Sequence, residues 1–247
     1  MTGRTAAPLL ELDGVSRSFK GLKAVDAVSF AVAEGAISAL IGPNGAGKTT
    51  IFNLIAGVLA PDAGRIAFAG RPLNGLRPDQ VCHAGIGRTF QIVRPFAKLS
   101  VLDNVVVGAL RRHRAVADAS GHARYLLDLL GLDGQRDRPA GSLTLPERKR
   151  LEVARALATG PRLLLLDEVM AGLRPAEIDL MVGVVRRLNA ETGITVLLIE
   201  HVMRAVMSLS GEVVVVNSGR LIARGTPAQV TRDPAVLECY LGEEAAY

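Results

Sequence analysis

The chain of 247 residues contains no tryptophan, three tyrosines, six phenylalanines and two cysteines. Aromatics at 4% leave no surface of alternating aromatic and basic residues on which nucleic-acid bases could stack. Cys82 and Cys239 are too few for a cysteine metal site or a disulfide framework. Long apolar runs are also missing, although hydrophobic residues make up 49% of the chain and the mean hydropathy is +0.29. The apolar residues come as short runs of Ala, Val and Leu, such as 163–166 and 213–216, whereas a bilayer span needs roughly 18 in a row. Near the N-terminus Glu11 and Asp13 follow Leu9 and Leu10 at once, which reads against a secretory signal. Charged residues at 21% argue against disorder. The expectation is a soluble, cytoplasmic α/β protein.

What is abundant is arginine, and it sets the net charge of +5. The basic residues are scattered, with small clusters at Arg111, Arg112 and Arg114, at Arg148, Lys149 and Arg150, and at Arg186 and Arg187. Two of these clusters fall on amphipathic helices, where a solvated face is expected, so no nucleic-acid partner is expected. Strand patterns occupy the first 35 residues and residues 36–41, 65–69, 162–167 and 194–200, and 213–223 reads as a hairpin through Asn217, Ser218 and Gly219. Helical spacing predicts helices over 48–58, from Ser100 through Leu110, over 122–130, over 146–158 and over 175–190. A loop is expected over 133–142 and a short tail over the last twenty or so residues. Strands apolar on both faces and alternating with helices argue for a largely parallel sheet covered on both sides.

Gly42, Pro43, Asn44, Gly45, Ala46, Gly47, Lys48 and Thr49 match G-x-x-x-x-G-K-[ST] between a predicted strand and a predicted helix. Glycines at those places let successive backbone N–H groups turn toward phosphate oxygens at a helix N-terminus. Lys48 is expected to reach the β- and γ-phosphates of a nucleotide and the Thr49 hydroxyl to hold Mg²⁺. Four leucines from Leu163 to Leu166 bury a strand whose end presents Asp167 to the metal and Glu168 to an attacking water. His201, closing the next buried strand, could touch the γ-phosphate; on its own, a strand-end histidine is more often structural.

These residues resemble the ATP-binding subunits of ABC transporters over nearly the whole chain. The resemblance implies a P-loop (RecA-like) core with a mostly parallel sheet, an N-terminal antiparallel β-subdomain and an inserted α-helical subdomain. Its expected boundaries are 8–92 and 156–225 for the core and β-subdomain, 93–155 for the helical part and 226–247 for the tail. It further implies that Gln91, after Arg88, Thr89 and Phe90, senses metal and water, that Phe19 stacks on adenine, and that Thr50 lies in the nucleotide site. Ala171 to Pro175 lie where the family has its dimer-contacting loop, and Glu200 and His201 match its switch histidine.

The blocks from Gly87 to Gln91, from Asp167 to Leu173 and from Leu198 to His201, and the tail from Gly225 to Glu243, are similar to the branched-chain amino acid (Liv-type) import ATPases. Membrane permease subunits, a second ATPase subunit and, indirectly, a solute-binding protein are the implied partners, at the cytoplasmic face of the inner membrane. Residues 93–99 are expected at the permease junction. The other classes weighed are a soluble ABC-type ATPase acting on nucleic acid or ribosomes and a regulatory subunit that does not hydrolyse.

One segment departs from the family. Its Leu-Ser-Gly-Gly-Gln signature, which serves the partner subunit's ATP, aligns with Leu143, Thr144, Leu145, Pro146 and Glu147. Both glycines are gone, Pro146 has no N–H to donate, and Glu147 adds negative charge where a γ-phosphate would dock. A proline in the first turn leaves the helix itself intact. The expectation is a heterodimer with one competent site and one weakened site, with a homodimer as the alternative.

Overall fold

The structure, a computed structural model, describes residues 8–91 and 94–244, and of 241–244 only the backbone. Chain order begins with β1 (Pro8–Phe19), β2 (Leu22–Ala33), β3 (Ile37–Ile41), α1 (Lys48–Ile55), β4 (Ala63–Phe68), β5 (Arg71–Pro72) and α2 (Pro78–Ala84). The middle holds β6 (Ile86–Arg88), α3 (Val101–Ala109), α4 (Val116–Leu129), α5 (Leu145–Ala158), β7 (Leu163–Asp167) and α6 (Pro175–Thr192). The last stretch gives β8 (Thr195–Ile199), α7 (Met203–Leu209), β9 (Glu212–Asn217), β10 (Arg220–Gly225), α8 (Pro227–Val230) and α9 (Pro234–Glu244). Two compact units result, one from the described residues up to Ala84 together with those from Thr195 onward, the other from Gly85–Ile194.

In the first unit β2, β1, β4 and β5 form an antiparallel sheet. A second sheet carries β8, β3 and β9 in parallel, with β10 returning antiparallel beside β9. Every residue from Thr195 to Ile199 is buried, as two-sided cover of a parallel strand requires. Leu40 pairs with Ile199, so β3 and β8 run out of the sheet at the same end. The segments that follow them, Gly42 onward and Glu200–His201, therefore share that end, where open α/β sheets bind ligands.

In the second unit β6 and β7 pair in parallel, Ile86 with Leu163 and Arg88 with Leu165. The four leucines of β7 are wholly buried. Helices α3, α4 and α5 pack on one another. Ser100 caps α3 by accepting the Asp103 N–H at 2.9 Å. Gly193, left-handed at φ 66°, ends α6.

Three expectations change. The tail is helical: Thr226 and Gln229 build a capping box ahead of Pro227, and the Asp233 carboxylate accepts the Ala235 N–H at the start of α9. Helix α4 starts at Val116 rather than 122, since the buried Ala119 and Ala123 carry the helical face across Gly121. Within the expected loop over 133–142, residues 133–135 and 140–142 form single 3₁₀ turns.

Candidate functional site

The phosphate loop lies in the first unit. Its shape depends on glycine at two places. At Gly42, φ 153°, an added Cβ would lie 2.0 Å from the Val216 carbonyl oxygen, and at Gly47, φ 101°, a Cβ would lie 2.3 Å from that of Ala24. The loop is thus pressed against the β9–β10 hairpin and β2, and the Gly219 N–H donates to the Ala46 carbonyl at 3.0 Å to hold it there. These supports are backbone atoms, which no side-chain pattern announces. Gly47 caps α1 without a side chain, so no side-chain acceptor competes with a ligand for the helix-start N–H groups.

Lys48 is 6% exposed, and its ammonium donates to the Gly42 and Pro43 carbonyls at 2.6 and 2.8 Å. These two carbonyls hold it inside the loop. Thr49 is exposed, Thr50 is half-buried, and Asn44 and Gly45 face solvent. His201, in this same unit, is exposed just beyond the buried Glu200. Phe19 ends β1 with 41% of its surface exposed, too open for a core phenylalanine, and the Arg17 guanidinium lies 5.2 Å from its ring centre.

The acidic pair lies in the second unit. Asp167 is 2% exposed; one carboxylate oxygen takes the Arg88 guanidinium at 2.8 Å, while the other, also buried, accepts no hydrogen bond. A buried carboxylate oxygen left over at a strand end is a hard donor of the kind that magnesium takes. Among the described residues no group of three or more His, Cys, Asp or Glu could hold a metal ion.

Thr89 locks this end. Its N–H donates to the Leu165 carbonyl at 2.9 Å and its hydroxyl accepts the Asp167 N–H at 3.0 Å. Gln91 donates to the Glu168 carboxylate at 2.7 Å, which brings together two of the residues expected to act in hydrolysis. Arg88 and Thr89 were expected only as the lead-in to Gln91; their grip on Asp167 spans 79 and 78 positions of sequence and has no local signal.

The segment 143–147 starts α5. Thr144 is the N-cap, with Pro146 inside the first turn, and the helix survives. The Glu147 carboxylate turns back to accept both the Thr144 N–H and its hydroxyl, each at 2.8 Å. Burial pushes the Glu147 carboxyl up, but the Thr144 hydrogen bonds, with Arg138 and Arg150 near, hold it below the usual range on balance. Lys149, expected on a solvated face, is instead 5% exposed and donates to the Glu168 carbonyl at 2.9 Å.

A strand–glycine loop–helix with an inward lysine, in a chain that also carries a buried strand-end aspartate, defines a P-loop nucleotide-binding protein. The family model for ABC transporters matches residues 25–171, and that for the branched-chain amino acid ATP-binding cassette transporter matches 220–246. The chain is 40% identical to the high-affinity branched-chain amino acid transport ATP-binding protein BraF of Pseudomonas aeruginosa, over 96% of this chain and 98% of that one. It is 39% identical to LivG of Escherichia coli K12, described in the same words, at the same coverage. Among solved structures, the ADP conformation of an ATP-binding cassette of an ABC transporter superposes with a TM-score of 0.87 at 32% identity, over 96% of this chain and all of that one. The chain belongs to the ABC transporter ATP-binding family and is an ATPase cassette. Among its described residues no helix is long and apolar enough to cross a membrane.

Proposed function

We propose that this chain hydrolyses ATP to power an importer of branched-chain or related amino acids, seated against membrane permease subunits at the cytoplasmic face of the inner membrane. The observation that carries this reading is the near-full-length kinship with two branched-chain amino acid transport ATP-binding proteins. That kinship favours import over work on nucleic acid or ribosomes.

In this reading the backbone N–H groups of residues 44–50 hold the triphosphate, and Lys48 trades the Gly42 and Pro43 carbonyls for β- and γ-phosphate oxygens. Phe19 stacks on adenine. Thr49, Asp167 and Gln91 would hold magnesium, which when bound neutralises charge on the phosphate oxygens. Glu168 orients a water and takes its proton as the water oxygen attacks the γ-phosphorus; the bond to the bridging oxygen breaks, giving ADP and phosphate. His201 steadies the γ-phosphate. ATP binding closes two such subunits together and hydrolysis lets them reopen, with a solute-binding protein delivering cargo on the far side. Phe96 and Leu99, 47% and 40% exposed in the segment expected at the permease, offer apolar surface for that contact; Val93 of the same segment lies outside the described residues.

The second ATPase subunit is a different chain. Thr144 would offer a γ-phosphate its N–H and hydroxyl, and Glu147 already takes both, so the site this segment completes is the weaker of two. The test is to restore Leu-Ser-Gly-Gly-Gln at 143–147 and to measure ATP turnover in the complex co-purified with its partners. Turnover rises if the site is weakened; unchanged turnover contradicts the asymmetric pair.

A further inference from the structure

We infer that Lys149 is a positioning residue for hydrolysis, fixing the peptide from which the Glu168 side chain springs. The inference rests on Glu168 acting on water, as proposed above.

Glu168 holds φ at 51°, a left-handed conformation that a non-glycine residue keeps only when its surroundings enforce it. Its carbonyl accepts two donors, the Lys149 ammonium at 2.9 Å and the Ala171 N–H at 3.2 Å. The direction of that carbonyl and the direction of the Glu168 side chain are set by the same pair of backbone torsions. A donor that pins one therefore aims the other. Burying an ammonium is costly, so its place against a carbonyl at the expected catalytic glutamate calls for a function.

The rest of the α5 face acts on the same residues. Lys149, Glu152 and Arg155 recur at spacing three along one side of the helix. Glu152, 6% exposed, accepts the Arg155 guanidinium at 2.9 Å and the backbone N–H of Phe90, next to Gln91. Arg155 also donates to the Arg94 carbonyl at 3.1 Å and covers the Phe96 ring at 5.0 Å. One helix face thus fixes the Glu168 peptide through Lys149 and the Gln91 approach through Glu152, and Gln91 in turn holds the Glu168 carboxylate. Lys149 acts on the Glu168 peptide. Its effect passes through Glu168.

The experiment uses the complex co-purified with its partners and compares Lys149→Met, Lys149→Leu and Lys149→Arg with the wild type and with Glu168→Gln. ATP turnover and the equilibrium affinity for ATP are read separately. Lys149→Met removes the donor and keeps the apolar stem; kcat should fall by about 10- to 100-fold while affinity stays within about twofold. Lys149→Arg, which keeps an N–H donor, should recover most of kcat. In a Glu168→Gln background Lys149→Met should cost little further turnover, because the group it aims is gone.

Should Lys149→Met fail to fold, the Leu and Arg variants carry the comparison, Leu, which has no donor, expected at least about tenfold below Arg at equal affinity. Equal kcat across the series, or affinity falling as far as kcat, overturns the positioning role. Full turnover in Glu168→Gln alone overturns the reading of Glu168 instead.

Discussion

Arg88→Met is the perturbation that most directly probes how the Asp167 end of β7 is held. The wild-type pair is buried on both sides, with Arg88 10% and Asp167 2% exposed, at 2.8 Å. Methionine keeps the apolar length and removes the charge, leaving an aspartate whose second oxygen already has no partner. Removing one member of a buried ion pair costs about 3–5 kcal/mol, most of it the stranded charge. The contact of the Arg88 guanidinium with the Phe90 ring, 5.5 Å from its centre, is lost too and adds about 0.5–1 kcal/mol. For a chain of this size 1 kcal/mol moves the melting temperature by roughly 2–4 °C, so the combined loss should bring thermal unfolding about 7–24 °C earlier. Asp167→Asn in the same background removes the stranded charge, and the double variant should be less destabilised than the sum of the singles by about 2 kcal/mol. A single variant within about 1 kcal/mol of wild type, or a double variant that is simply additive, would refute the claim that this ion pair holds the strand end.

Two further perturbations test other parts of the structure. Gly42→Ala places a Cβ 2.0 Å from the Val216 carbonyl oxygen at φ 153°, so the loop must move; nucleotide affinity should fall by at least about tenfold in an equilibrium binding assay, and wild-type affinity would contradict the account of the loop. His122 titrates below its ordinary 6.5, from burial first and then from His113 and Arg112, so below that value the unfolded chain binds a proton that the folded chain refuses. Stability should therefore be full above pH 6.5 and decline as pH falls through it, and His122→Gln should flatten that decline between about pH 8 and about pH 5.5.

The phosphate loop was legible because its residue pattern is the direct consequence of its backbone: only glycine tolerates the contacts at Gly42 and Gly47, and only lysine supplies an ammonium there. The four leucines of β7 and the apolar stripe of α6 were legible for the same local reason, since burial demands them at fixed spacing. Helix α2 was not, because one buried residue, Val81, gives no periodicity to read. Strand β6 has three residues and exists through its neighbour β7. The caps of α8 and α9 were present in Thr226, Pro227, Gln229 and Asp233, but their short length hid them. The contacts that hold the acidic end are of another kind. Arg88 with Asp167, and Lys149 with Glu168, join residues far apart in the chain, and the fold alone creates those pairs.

The central claim, that the turn at 42–49 grips a triphosphate, is tested most directly by equilibrium binding of labelled ATP with and without magnesium, for the wild type and for Lys48→Ala. Losing charge-assisted hydrogen bonds worth about 1.5–3 kcal/mol should weaken magnesium-dependent binding by roughly 10- to 100-fold while the melting curve shows a folded protein. Binding that ignores magnesium, or that survives Lys48→Ala undiminished, would contradict it.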